Sequence, residues 1–188
     1  MIATYTDWVA SNPLLSAMIQ FAILGTLGEV ISFSLRQKKI AIPCTWWQLI
    51  LKMLAWAILG VLIKVAFTGM KGFATALIEH GFLPLSFEKG LGWAFSVSVL
   101  TNLLFGPQMM AFHRLEDNLI MRQKGFAGIQ RSWWTLIWFW IPAHTLTFLL
   151  PAYLQIGLAA LWSLVLGLIM GLNRQKSNEK EELTDQKQ

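Results

Sequence analysis

Five long stretches of mostly apolar residues run along the chain, separated by short segments that carry most of the charge. They cover residues 14–35, 46–68, 91–112, 132–150 and 152–172. Each is long enough for a helix to cross about 30 Å of hydrocarbon at roughly 1.5 Å per residue. The last two form one apolar block in which Pro151 lies where the chain has to turn, which indicates a tight hairpin. The pattern predicts an all-α bundle of five transmembrane helices in one domain.

Composition points to lipid as the main partner of these helices. Of the 188 residues, 55% are hydrophobic and 13% are charged, whereas soluble domains carry about 25% charged residues. A soluble core of this length could not hide so many apolar side chains from water. The only cysteine is Cys44, so no disulfide can form within the chain. The first thirteen residues hold Asp7 and no Lys or Arg, so we expect the first apolar stretch to be retained as a span.

The positions of Lys and Arg favour five spans over four, since basic residues concentrate on the cytoplasmic side of a membrane protein. With five spans and an outside N-terminus, the outer side receives only Lys71 and Lys89. The inner side receives Arg36, Lys38, Lys39, Arg114, Arg122, Lys124, Arg131, Arg174, Lys176, Lys180 and Lys187. With four spans, in which the region from Trp138 to Pro151 is re-entrant or interfacial, the tail changes sides and the split becomes seven against six. The net charge of +5 is therefore explained by membrane orientation, and we expect no nucleic-acid partner.

Two segments outside the spans have a distinct composition. Residues 70–90 mix charged and apolar side chains, which predicts a short interfacial helix that ends near Gly81. Residues 173–188 alternate Lys and Glu without an aromatic residue, which predicts a solvated, disordered tail.

A carboxylate, Glu29, and an ammonium, Lys52, lie inside the first and the second span. Glu29 is six residues before the end of the first span and Lys52 is six residues after the start of the second, so antiparallel packing places both at one depth. An ionised group at membrane depth costs about 2.5–3.5 kcal/mol and requires a partner or a purpose. We therefore hypothesise that Glu29 and Lys52 form a buried or pore-lining ion pair. In the alternative, Lys52 extends to the headgroups while Glu29 is protonated or meets water.

Later spans carry polar residues and helix-weakening positions. Asn102 falls near the bilayer centre and should face protein or water, and His144 is a further candidate for lining a pore. Kinks are predicted at Gly106, Pro107 and Pro142, because proline removes a backbone donor from the helix.

Small residues mark the faces on which helices can approach each other closely. Gly25 shares the face of Glu29 in the first span, and Gly28 precedes that carboxylate. Ser163, Gly167 and Gly171 follow at intervals of four in the last span, a stripe through which a homo-oligomer could assemble.

A family resemblance is visible at both ends of the chain. Near the start it rests on Trp8, Asn12, Pro13, Gly28 and Glu29. Near the end it rests on Trp140, Ile141, Pro142, His144, Thr147, Phe148, Pro151, Trp162 and Ser163. In this order the chain resembles the family of small organelle membrane proteins named after the 22-kilodalton peroxisomal membrane protein and Mpv-seventeen, with His144 and Thr147 in place of that family's Gln and Asn.

The resemblance implies a channel-like helical protein that passes small solutes. Its membrane would be the mitochondrial inner or peroxisomal membrane, or the cytoplasmic membrane for a bacterial relative. Members of the family are usually drawn with four spans, whereas the charges of this chain favour five.

The sequence favours a non-enzymatic channel or transporter, in which Glu29, Lys52, Asn102 and His144 line or gate the path of an unidentified small solute. No nucleotide-binding, zinc-protease or hydrolase motif occurs, and we predict no cofactor and no metal. A structural or adaptor subunit of a membrane complex is the alternative. An intramembrane enzyme using His113 with Glu116 or Asp117 has less support, since no nucleophile accompanies them.

Overall fold

The computed structural model describes residues 2–126 and 128–185, with side chains described for 4–126, 128–166, 168 and 169. Within these ranges the protein is all-helical and contains no strand, as predicted. The helices are α1 (Ile2–Ser11), α2 (Pro13–Gln37), α3 (Trp46–Glu79), α4 (Gly90–Leu100), α5 (Gly106–Met121), α6 (Ile129–Thr135), α7 (Ile141–Leu149) and α8 (Ala152–Asp185). A short 3-10 helix covers Leu85–Phe87.

Three helical segments in the described residues are long and apolar enough to cross a membrane. They are Pro13–Gln37, Trp46–Glu79 and Gly90–Met121, the last of which joins α4 to α5. The helix Ala152–Leu166 is a shorter apolar candidate. From Ile129 to Leu149 the backbone is also continuously helical, over roughly 31 Å at 1.5 Å per residue.

Helix α3 is longer than the sequence analysis predicted. Its 34 residues extend over roughly 51 Å, so residues 70–79 continue this helix instead of forming a separate interfacial one. Polar residues such as Lys71 and Glu79 are good helix formers, and Gly81, with a φ of 75°, lies just beyond the helix end. The backbone of α8 is helical through Asp185, so residues 173–185 also differ from the predicted disordered tail.

Two prolines account for a π-helical turn in each of two helical segments. In the turns at 101–105 and 136–140, the N–H of the residue after the turn bonds five residues back: Gly106 to Thr101 and Ile141 to Leu136. The next residue in each case is a proline, which has no N–H to donate and whose ring displaces the carbonyl four residues earlier. A π-helical turn thus precedes Pro107 and Pro142, and the kinks at Gly106, Pro107 and Pro142 stay a prediction.

Helix α2 lies between α3 and α8, and glycines allow the close approach on both sides. A Cβ atom at Gly60 would lie 2.6 Å from the Ala17 carbonyl oxygen, and one at Gly28 would lie 3.1 Å from the Leu164 Cα. Pro151 separates α7 from α8 at the predicted hairpin. Helix α7 packs against α4, and the Ser98 hydroxyl donates to the Ile141 carbonyl oxygen at 2.7 Å.

The two ends of the bundle differ in their packing. We call the end with connections 38–45 and 122–128 the basic end, and the end with loop 80–89 and turn 150–151 the opposite end. Buried apolar residues fill the bundle towards the opposite end: Val9, Ala17, Phe21, Ile63, Phe67, Ala74, Ala94, Val97, Phe148, Ile156, Ala159 and Ala160. The basic half is open enough to contain a cavity.

The α2–α3 contact makes a stability prediction. Gly60→Ala introduces a Cβ atom 2.9 Å from the Phe21 Cβ as well as against Ala17, so we expect the free energy of unfolding to fall by about 1–3 kcal/mol. Gly69→Ala is the matched control, because nothing lies within 4 Å of a Cβ added at that position of the same helix. Denaturant unfolding in detergent measures both, and equal stability of the two variants would contradict the packing described.

Candidate functional site: a one-ended cavity

A cavity of about 590 Å³ lies between α2, α3, α5, α7 and α8. Its volume falls within the range of about 300–1,000 Å³ that is usual for small-molecule sites. Glu29, Lys52, Asn102 and His144, the four residues proposed to line a pore, all line this one cavity. Aromatic and aliphatic side chains make up most of its remaining surface.

A charged cluster occupies the part of the cavity nearest the basic end. The Lys52 ammonium lies 2.7 Å from Glu29 Oε2 and also bonds to Asp117 Oδ1. The Lys52 side chain is 7% exposed, against 24% for Glu29 and 27% for Asp117. The hypothesised ion pair is therefore present in the structure, with a second carboxylate from α5 that joins α2, α3 and α5 in one network.

Aromatic groups hold the Glu29 carboxylate in place. The Trp56 indole N–H donates to Glu29 Oε1 at 2.7 Å, and the ring packs over Gly25, where a Cβ atom would lie 2.3 Å from it. Gly25 is thus needed to admit Trp56. His113 packs on Trp56 with ring centroids 4.6 Å apart, and its Nε2 lies 4.0 Å from Glu29 Oε1.

The deep part of the cavity has a different chemistry. The Asn102 amide nitrogen donates to the Ser98 carbonyl oxygen at 2.8 Å and lies 3.1 Å from His144 Nδ1. Asn102 is 1% exposed and His144 is 8% exposed. The π-helical turn at 101–105 contains Asn102, so this local irregularity of the backbone lies at the point where the two side chains meet.

The cavity extends to exposed residues at the basic end. Its lining there includes Arg36 and Gln123, which are exposed. At the deep end it stops at Phe67, which packs edge-on against His144 with centroids 5.1 Å apart and against Phe148 at 4.8 Å. Phe67 and Phe148 belong to the core that fills the opposite half, so in the part of the chain that the structure describes the cavity does not continue to the opposite end.

The loop beside the charged cluster contains the single cysteine. Burial raises the pKa of the Cys44 thiol, and the nearby Lys52 ammonium only partly offsets this rise. The thiol is therefore protonated near neutral pH and is a poor nucleophile.

Sequence reasoning missed two members of the site. The sequence suggested Asp117 only as a candidate for an intramembrane enzyme with His113, yet it binds Lys52. Trp56 lies one helical turn after Lys52, a spacing that puts both on one face and was an available signal. Asp117 is 65 positions from Lys52, and no local pattern relates them.

The predicted small-residue stripe is described only in part. Ser163 lines the cavity, and its carbonyl oxygen would lie 3.4 Å from a Cβ atom at Gly28. This position therefore faces α2 of the same chain. Gly167 and Gly171 lie outside the residues whose side-chain surroundings are described, and assembly of an oligomer through this stripe stays a prediction.

Comparisons with known proteins add no identification. No family model matches the sequence, and neither the curated proteins nor the solved structures contain a match.

The charged cluster predicts a large effect of removing its cation. Lys52→Met leaves Glu29 and Asp117 facing each other without compensation, so we expect the free energy of unfolding to fall by about 3 kcal/mol. The triple variant Lys52→Met, Glu29→Gln, Asp117→Asn should recover most of that loss, because no uncompensated charge remains. Thermal or denaturant unfolding in detergent measures both.

Lys64→Met is the control for this experiment, since Lys64 lies in the same helix and is partly buried but lies outside the cluster. It should change stability far less than Lys52→Met. A triple variant less stable than the single one would contradict the electrostatic explanation.

Proposed function

We propose that this chain is an integral membrane protein with five spans that transports a small solute through the cavity described above. The single observation that carries the proposal is that one cavity collects all four residues predicted to line a pore. A protein with only a structural role has no need to keep about 590 Å³ of unfilled space beside a charged cluster, since voids destabilise packed interiors.

Exposed apolar side chains support a lipid environment. On α3, Ile58 is 50% exposed, Leu62 39% and Val65 57%, and their spacing of three or four residues places them on one face. An uninterrupted apolar face of this kind marks a surface that contacts lipid or another protein. The same helix is long enough to extend beyond the hydrocarbon layer.

Support for five spans comes from the last two helical segments together with the charges. The continuous helix over residues 129–149 is as long as the hydrocarbon core of a bilayer is thick, and α8 returns after the turn at Pro151. This arrangement leaves the basic connections and the tail on one side, as the distribution of Lys and Arg favours.

The cavity ends at Phe67, which favours a transporter with an alternately exposed site and argues against an open channel. The cavity meets the surface at the basic end, and the core around Phe67 and Phe148 separates it from the opposite end. The π-helical turns at 101–105 and 136–140 flank the deep part and supply weakened backbone at which the helices can bend. The family resemblance stays a prediction that agrees with transport.

The five-span topology can be tested with single cysteines in a Cys44→Ser background. We expect Ser86→Cys to react with a membrane-impermeant maleimide applied to intact cells. Gln123→Cys and Ser177→Cys should react only after permeabilisation, because both lie on the inner side. Labelling of Ser177→Cys from outside would favour four spans, and labelling of all three would contradict a membrane-spanning arrangement.

Transport can be tested by filling the cavity. Proteoliposomes containing the wild-type protein should swell faster than empty liposomes under an inward gradient of erythritol or proline, measured by stopped-flow light scattering. Ser163→Trp places an indole in the cavity and should reduce the swelling rate at least several-fold.

The matched control is Leu161→Trp, two residues earlier in α8, where the side chain is 46% exposed and outside the cavity. It should leave the rate unchanged. Swelling no faster than in empty liposomes for both probes, together with stoichiometric co-purification of another membrane protein, would favour the structural or adaptor alternative.

A further inference from the structure

We propose that the deep end of the cavity binds a neutral oxygen acceptor, a carbonyl or hydroxyl group on an apolar body, through the His144 Nε2–H. This inference deepens the proposed function, on which it rests, because it names the chemical class of the solute and the way it enters. The solute would insert its neutral end first and leave its more polar end beside Glu29, Lys52 and Asp117.

The contacts of Asn102 determine which ring nitrogen of His144 carries the hydrogen. The Ser98 carbonyl can only accept a hydrogen bond, so the Asn102 atom 2.8 Å from it is the amide nitrogen. That same nitrogen faces His144 Nδ1 at 3.1 Å. Since an amide NH₂ group can only donate, Nδ1 accepts, and the hydrogen of the neutral imidazole lies on Nε2.

The Nε2–H of His144 is available to a ligand. No hydrogen-bond partner of Nε2 occurs among the described residues, although His144 is more than nine-tenths buried and lines the cavity. An N–H group of a cavity-lining residue that has no partner in the described part of the protein can donate to an oxygen atom of a bound molecule. The position of Asn102, fixed by Ser98, keeps this donor available.

The surroundings of His144 favour an acceptor without charge. Aromatic rings surround His144: Trp140 is tilted against it with centroids 5.0 Å apart, and Phe67 meets it edge-on. No Lys or Arg lines this deep part, since the cationic residues of the lining, Lys52 and Arg36, belong to the basic end. An anion would be desolvated there without compensation, so the acceptor that fits is uncharged.

The experiment compares three molecules that share two phenyl rings. Benzophenone has a neutral carbonyl, diphenylmethane has no acceptor, and diphenylacetate carries a carboxylate. Isothermal titration calorimetry of the full-length protein in detergent should give a dissociation constant for benzophenone about five- to tenfold lower than for diphenylmethane, as one hydrogen bond provides. Diphenylacetate should bind no better than diphenylmethane.

His144→Phe keeps an aromatic ring and removes the donor, so it should abolish the preference for benzophenone. His80→Phe is the matched control, because His80 is exposed in the loop after α3, and it should retain the preference. Equal wild-type affinity for benzophenone and diphenylmethane, no binding of either, tighter binding of diphenylacetate, or a preference that survives in His144→Phe would each overturn the proposal. The wild-type comparison decides even if His144→Phe does not fold.

The binding measurement requires no membrane gradient, so its failure is distinguishable from failure of the transport proposal. A carbonyl preference without solute flux would keep the site and remove transport. Flux that is blocked by Ser163→Trp without any carbonyl preference would keep transport and remove the assigned solute class.

Discussion

The ammonium of Lys52 between the carboxylates of Glu29 and Asp117 is the interaction on which the basic half of the bundle depends. It joins three helices in one network, and each charge tolerates its partial burial only because the others are present. The cluster also keeps this half from closing into a dry core, since two partly exposed carboxylates need residual solvent or polar partners. The cavity and the ion network are therefore two consequences of one arrangement.

Backbone irregularity adds a second constraint in the middle of the bundle. Pro107 and Pro142 each follow a π-helical turn, and these turns lie where Asn102 meets His144. Because a π-helical turn inserts one residue into the periodic pattern, α5 is rotated relative to α4 compared with its position in a regular helix. The Ser98 hydroxyl, which donates to the Ile141 carbonyl oxygen, fixes the register of α4 on α7 at the same level. Polar contacts thus stabilise the region that the prolines weaken.

Much of the fold could be predicted from the sequence, and the limits have physical causes. Hydrophobic stretches located the helices, because lipid-facing and core-facing residues are both apolar. They could not locate the end of α3, since a helix can continue through polar residues beyond the apolar stretch. The Glu29–Lys52 pair could be predicted because both residues lie six positions from the short connection between the first two spans. Asp117 did not, because its position depends on how α5 packs after an irregular turn. That Asn102 and His144 would share a cavity was open for the same reason, although each was identified as polar at membrane depth.

The alanine-rich core of the opposite half and the Lys52 network at the basic end differ in the free energy needed to separate their helices. This difference bears on how transport would work. The core towards the opposite end is rich in alanine, with Ala17, Ala74, Ala94 and Ala160 among its buried members. Alanine contributes little apolar area, so separating such faces exposes less hydrophobic surface than separating faces of large side chains. Breaking the Lys52 network would instead leave carboxylates without compensation. The alanine-rich contacts, with Phe67 and Phe148 as the rings that must move, are therefore where the path to the opposite side would open, while the charged cluster keeps α2, α3 and α5 together.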